Sequence, residues 1–98
     1  MNKIMTIAER ERIILDKLAS RIKFLRVSKG MSQQDVISAA NISRTTLHNL
    51  ENGVNVPSLH LLVKMSVAFD IPVHLLIAPT GTFKEYVKNA PITYKEQE

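Results

Sequence analysis

The stretch SQQDVISAANISRTTLHNLENG, from Ser32 to Gly53, decides the fold of this 98-residue chain. Ser32 is followed three residues later by Asp35, a form of the signature in which a hydroxyl caps the first turn and a carboxylate reaches back to it. Val36 and Ala40, four apart, then share one face of a helix from about Gln33 to Ala39. Asn41 tolerates the left-handed backbone that ends a helix. Ser43 caps a second helix, whose buried stripe is Leu47 and Leu50, and Asn52-Gly53 ends it. The turn between the two helices is too tight to be a domain linker.

The outward face of the second helix is unusual. Arg44, Thr45, Thr46, His48 and Asn49 crowd hydrogen-bonding side chains into its first two turns, and only Arg44 carries a lasting charge at neutral pH. A helix that needs only solubility carries more Glu and Lys there. A helix that enters the major groove of DNA needs donors and acceptors matched to base edges, placed at its N-terminal end.

Flanking residues complete the pattern. Arg26, Gly30, Met31 to Val36, Asn41-Ile42-Ser43, Leu47, Leu50 to Gly53, Pro57-Ser58-Leu59 and Leu62 place LENG, followed closely by PSL, at a set distance from SQ. From about Leu18 to Ala78 the chain thereby resembles the helix-turn-helix of the Cro and phage-repressor (XRE-type) family of transcriptional regulators. The resemblance implies an all-α, lambda-repressor-like bundle of five core helices, here with an extended first helix and a short sixth one. Residues 1–17 would be a helical extension, 18–78 the DNA-binding domain, and 79–98 a short helix and tail.

The resemblance also implies roles. Arg26 and Glu51 map to an ion pair that joins the first helix to the end of the third. Gln33 maps to the glutamine at the start of helix 2, where backbone N–H groups meet a phosphate; its neighbour Gln34 reads as solvated. Arg44, Thr45 and Asn49 map to base-contacting positions. Arg44 suits guanine O6 and N7, Asn49 suits adenine N6 and N7, and a Thr45 or Thr46 methyl suits thymine. His48 lies at the edge of that face, Ser43 is a cap first and a phosphate contact second, and Asn52 matches a phosphate-contacting asparagine. Val73, Leu75, Leu76 and Ile77, more apolar than one short helix needs, resemble the dimer interface of phage repressors. Two departures stand out. Ile37 occupies a position generally held by Ala, which implies local repacking, and Val54-Asn55 replaces the Lys or Arg that often follows LENG.

In chain order, residues 1–5 read as irregular. Thr6 to Glu9 is a capping box, and Ile14, Leu18, Ile22 and Leu25 carry one long helix from about Ile7 to Ser28. Its extension packs on the domain or on a second subunit, or overhangs in solvent. Lys29-Gly30 ends it. After the extended Val54 to Pro57, Ser58 caps a fourth helix with Leu59, Leu62, Val63, Ser66 and Val67 as its stripe. Val73 to Ile77 forms a fifth, ended by Ala78 to Gly81. Thr82 and Glu85 suggest a sixth helix over 83–88, with a strand as the alternative, and the tail after Pro91 reads as disordered.

Composition narrows the function further. Thirteen basic against nine acidic residues give a net charge of +4, with no cysteine. Residues 1–30 hold eight basic and three acidic residues, whereas 31–78 hold two and three. The first helix therefore supplies the positive field, and the motif itself is nearly neutral. Without a Cys nucleophile, a carboxylate pair, a phosphate-binding glycine loop or a metal constellation, the chain does not read as an enzyme, and no cofactor is implied. No segment reads as a signal peptide or a membrane span, which points to a cytoplasmic protein.

The leading expectation is a sequence-specific regulator, more often a repressor, that binds double-stranded DNA as a homodimer on a roughly palindromic operator. The alternative is an interaction module of the same fold, such as an antitoxin that binds a protein partner and autoregulates its operon.

Overall fold

The computed structural model describes residues 4–89. In order these form helix α1 (Ile7–Ser28), α2 (Gln33–Ala40), α3 (Arg44–Asn52), α4 (Leu59–Phe69), a 3-10 turn (Val73–Leu76) and α5 (Thr80–Asn89). Among the described residues there is no strand, and no helix is long and apolar enough to cross a membrane. The tail expected to be irregular after Pro91 lies outside the described residues, as do residues 1–3 of the N-terminal segment.

The helix boundaries follow their local chemistry. Thr6 Oγ1 accepts from the Glu9 N–H at 3.0 Å, and Glu9 Oε1 accepts from the Thr6 N–H at 2.9 Å. The Ser32–Asp35 pair does the same for α2, at 3.0 and 2.8 Å. Ser43 and Ser58 cap α3 and α4 through single hydroxyls. Each of these caps satisfies donors that the first helical turn leaves unpaired and is worth about 1 kcal/mol. Asn41 closes α2 with a φ of 54°, the left-handed conformation its short polar side chain tolerates.

The core is centred on Ile22 and Leu25 of α1, Val36 of α2, Leu47 of α3, Met65 and Phe69 of α4, and Leu76 of the 3-10 turn. Burying each such side chain stabilises the fold by roughly 1.5–3 kcal/mol. Helices α1 and α2 pack against α3, while α4 packs on α2 and on the 3-10 turn, which α1 and α5 also meet.

Four expectations need correction. On α1 the buried row starts at Leu15 rather than Ile14, which is exposed. On α4 the buried residues are Met65, Ser66 and Phe69, with Leu62 half-buried; Leu59, Val63 and Val67 face outward. That helix is apolar on nearly every side, so spacing alone could not choose its inner face. The fifth helix is a single 3-10 turn, short because Pro72 and Pro79 bracket it closely. Finally, α5 starts at Thr80, with the Phe83 N–H donating to the Pro79 carbonyl at 3.0 Å. Thr80-Gly81 therefore opens this helix instead of ending the one before, and Thr82 lies inside it rather than at its cap.

Arg21 attaches this last part of the chain to α1. Its Nη1 donates to the carbonyls of Leu75 and Ala78, both at 2.7 Å, and its guanidinium lies 4.3 Å from the Phe83 ring centroid. Phe83 in turn meets Phe24 of α1 edge-to-face, with centroids 6.0 Å apart. Burial removes water from Arg21 and lowers its pKa from the ordinary arginine value.

Candidate nucleic-acid interface

Helix α3 is held at both ends and along one side. At its start the Ser43 hydroxyl accepts from the Thr46 N–H at 3.0 Å and lies 2.8 Å from Thr46 Oγ1. At its end Gly53 has a φ of 64°, and the Gly53 and Val54 N–H groups return to Leu50 and Asn49 at 3.4 and 3.0 Å. Leu47, Leu50 and Glu51 are its buried residues. The turn before it is tied on both sides, by the Ile42 N–H to the Ile37 carbonyl at 3.1 Å and by Lys64 Nζ to the Asn41 carbonyl at 3.3 Å. Ile37 itself is accommodated half-buried against the core.

The fixation from α1 is an ion pair. Arg26 Nε donates to Glu51 Oε2 at 2.6 Å and Nη2 to Oε1 at 3.3 Å, a two-point contact. The side chains retain only 16% and 3% of their exposure. Arg26 Nη1 also reaches the Met31 carbonyl at 3.4 Å, so one guanidinium links α1, the turn before α2, and α3.

The opposite side of α3 carries the polar face. Arg44, Thr45, His48 and Asn52 are exposed, while Thr46 and Asn49 are half-buried. Gln33 is exposed in the first turn of α2. These side chains are not all waiting in water. Arg44 Nη2 donates to Gln34 Oε1 at 2.8 Å, and Gln34 Nε2 donates to Ser38 Oγ at 3.2 Å. Gln34, expected to be merely solvated, thus links the N-terminal ends of α2 and α3. Asn52 Nδ2 folds back to the His48 carbonyl at 2.7 Å and lies 3.4 Å from its Nδ1. In chemical terms the face offers a guanidinium fork, carboxamides, hydroxyls and an imidazole, beside the positive end of the α2 dipole.

Two residues belong to this arrangement that sequence reading did not find. Arg12, in the extension, donates from Nη2 to the Gly53 carbonyl at 2.9 Å. Gln34 is the other. Their partners lie 41 and 10 residues away, and no local pattern marks either pairing.

The expected dimer residues separate in the structure. Leu75 and Leu76 are buried within the protomer, Val73 is half-buried, and Ile77 is exposed. Leu75 and Leu76 therefore belong to the core of the protomer.

A helix-turn-helix family model matches residues 22–76, more than half of the chain. The chain belongs to the helix-turn-helix family, in its Cro and phage-repressor form. The HTH-type transcriptional regulator DdrOP3 of Deinococcus deserti is 38% identical over 61 residues, 62% of this chain and 47% of that protein. The chain thus spans about half the length of this curated relative. Among solved structures, the restriction-modification controller protein C.AhdI of Aeromonas hydrophila is 31% identical, with a TM-score of 0.61 over 63% of this chain and 94% of that one. A hypothetical transcription factor of Neisseria, NHTF, shares the fold at 21% identity, with a TM-score of 0.69 over 87% and 93% of the two chains. The matched segment runs from within α1 to the 3-10 turn and includes both α2 and α3.

Proposed function

We propose that this chain regulates transcription by binding a roughly palindromic DNA operator as a homodimer, with the N-terminal part of α3 in the major groove. The observation that supports it most is the polar face of α3, presented by a helix capped at both ends and pinned by the Arg26–Glu51 pair. Rigid placement matters because a base edge is distinguished only within hydrogen-bond reach. Arg44 and Asn49 are the proposed base readers; Ser43, Thr45, Thr46 and His48 line the contact. Gln33 and Asn52 would sit on the phosphates. Repression by obstructing polymerase is the simplest outcome for so small a domain. The likeness to C.AhdI, a restriction-modification controller, suggests control of an operon that includes such genes.

The surface proposed for dimerisation is revised from the sequence expectation. Leu59, Val63 and Val67 recur every four residues on the outer side of α4, with Leu59 and Val67 each 69% exposed, and Ile77 adds a further exposed apolar side chain. Pairing two copies would remove this row from water, and reading two half-sites then needs the two α3 helices about 34 Å apart, one helical turn of DNA. Val67→Glu is expected to shift the protein to monomer in analytical ultracentrifugation while the helical content stays the same. A variant that still sediments as the wild type does would place the contact elsewhere.

The test of the whole reading is selection of bound sequences from a random duplex pool, repeated with Arg44→Ala. A recovered palindrome whose preference changes in the variant would support both the dimer and the reader. Alanine at Arg44 or Asn49 is expected to weaken operator binding by about 1–3 kcal/mol while leaving random DNA nearly unaffected. Equal losses on both duplexes would reduce these residues to general contacts. A pool that stays random would favour a protein-interaction role for the same fold.

A further inference from the structure

Helix α1 begins well before the matched family segment, and its extension reaches the far end of α3. Arg12 Nη2 donates to the Gly53 carbonyl at 2.9 Å, while Arg12 Nε donates to Asp16 Oδ1 at 3.1 Å. The guanidinium is thus held on its own helix by Asp16 and aimed at the cap of another. Gly53 is buried there, and a Cβ on it would come within 2.7 Å of Arg12 Nη2, 3.7 Å of the Leu15 carbonyl and 3.8 Å of the Ala19 Cβ. So α1 lies directly against the turn that ends α3.

That turn closes α3 through backbone bonds, with no charge of its own to match the helix dipole. The carbonyls of the last helical turn carry the negative end of the dipole, and no basic residue occupies the last turn of α3 itself. Arg12 brings a cation to this end from outside. The same turn ties down the backbone of Asn49, whose carbonyl accepts from the Val54 N–H at 3.0 Å.

We infer that Arg12 is a positioning residue of the recognition helix: from the extension, it fixes the C-terminal cap of α3 and through it the register of Asn49 on DNA. It touches no base. The Arg26–Glu51 pair holds the same helix at its last turn from deeper in the domain, and Arg12 holds the chain just beyond it. The extension is then part of the reading head rather than an overhang. This inference rests on the DNA-binding reading proposed above.

The experiment compares wild type, Arg12→Ala and Arg12→Lys in two measurements. Amide hydrogen exchange on the free proteins needs no DNA: Arg12→Ala should speed exchange at Gly53 and Val54, with little change in α2. On DNA, Arg12→Ala should lower affinity for the selected operator roughly three- to tenfold, the scale of one charge-assisted hydrogen bond, with a smaller loss on a random duplex. Arg12→Lys, which keeps the charge and one donor, should recover part of the discrimination. Unchanged exchange at Gly53 and Val54 would overturn the inference, and so would equal losses on operator and random DNA. A wild-type protein that discriminates no sequence would instead bring down the DNA-binding reading, while faster exchange in Arg12→Ala would still support the brace.

Discussion

Arg26→Ala is expected to destabilise the domain by about 3–5 kcal/mol, because it strands the Glu51 carboxylate in a site from which water is nearly excluded. Glu51 is one of three buried residues of α3, and both its oxygens accept from Arg26. Glu51→Ala should cost less, since Arg26 keeps more exposure and retains the Met31 carbonyl at 3.4 Å. Urea unfolding of both variants checks the order. Losses below about 1 kcal/mol for Arg26→Ala would mean that the pair behaves like an exposed surface bridge. Replacing both residues by apolar side chains of similar size should recover much of the stability, as buried ion pairs commonly allow. DNA binding by that double variant would then report whether the pair also orients α3.

Arg21→Met is the second large effect, at about 2–4 kcal/mol. Methionine keeps much of the stem but removes the donor shared by the Leu75 and Ala78 carbonyls, leaving both without it at a buried site. The cation over the Phe83 ring goes as well. These contacts attach the 3-10 turn and α5 to α1, so the loss should be uneven. Amide exchange in α5 should accelerate more than in α2 or α3, and the unfolding transition should broaden as α5 releases first. A uniform change over all helices would show that Arg21 stabilises the fold as a whole instead of tethering its last segment. Arg21→Lys should recover only part of the loss, because an ammonium can donate to a carbonyl but does not lie flat on an aromatic ring as a guanidinium does.

The helices were legible from the chain wherever a cap and a terminator bracket a helical pattern. Thr6 with Glu9 and Ser32 with Asp35 mark helix starts, Ser43 and Gly53 bracket α3, and Ser58 starts α4, as the structure adopts them. The polar face of α3 was legible for the same reason: its side chains are consecutive in sequence. What was not legible is tertiary choice. The spacing of Leu59, Val63 and Val67 is as regular as that of the residues that α4 buries, and only its packing partners choose between them. Leu75 and Leu76 looked available to a partner because nothing in their own segment shows the core cluster that buries them. Arg12 and Arg21 looked like two more charges on a basic helix, although each has a carbonyl partner far along the chain.

The bond between Arg44 and Gln34 has one more consequence, for how faithfully an operator must be copied. A reader with no internal partner penalises a wrong base by being left desolvated and unpaired. Arg44 has somewhere to retreat, an acceptor 2.8 Å away that belongs to α2. On the proposed reading, a mismatch at the base pair facing Arg44 sends the guanidinium home rather than stranding it. The latitude of that operator position is then set by the residue at 34, outside the recognition helix, and related regulators could widen or narrow their target sets by changing it alone.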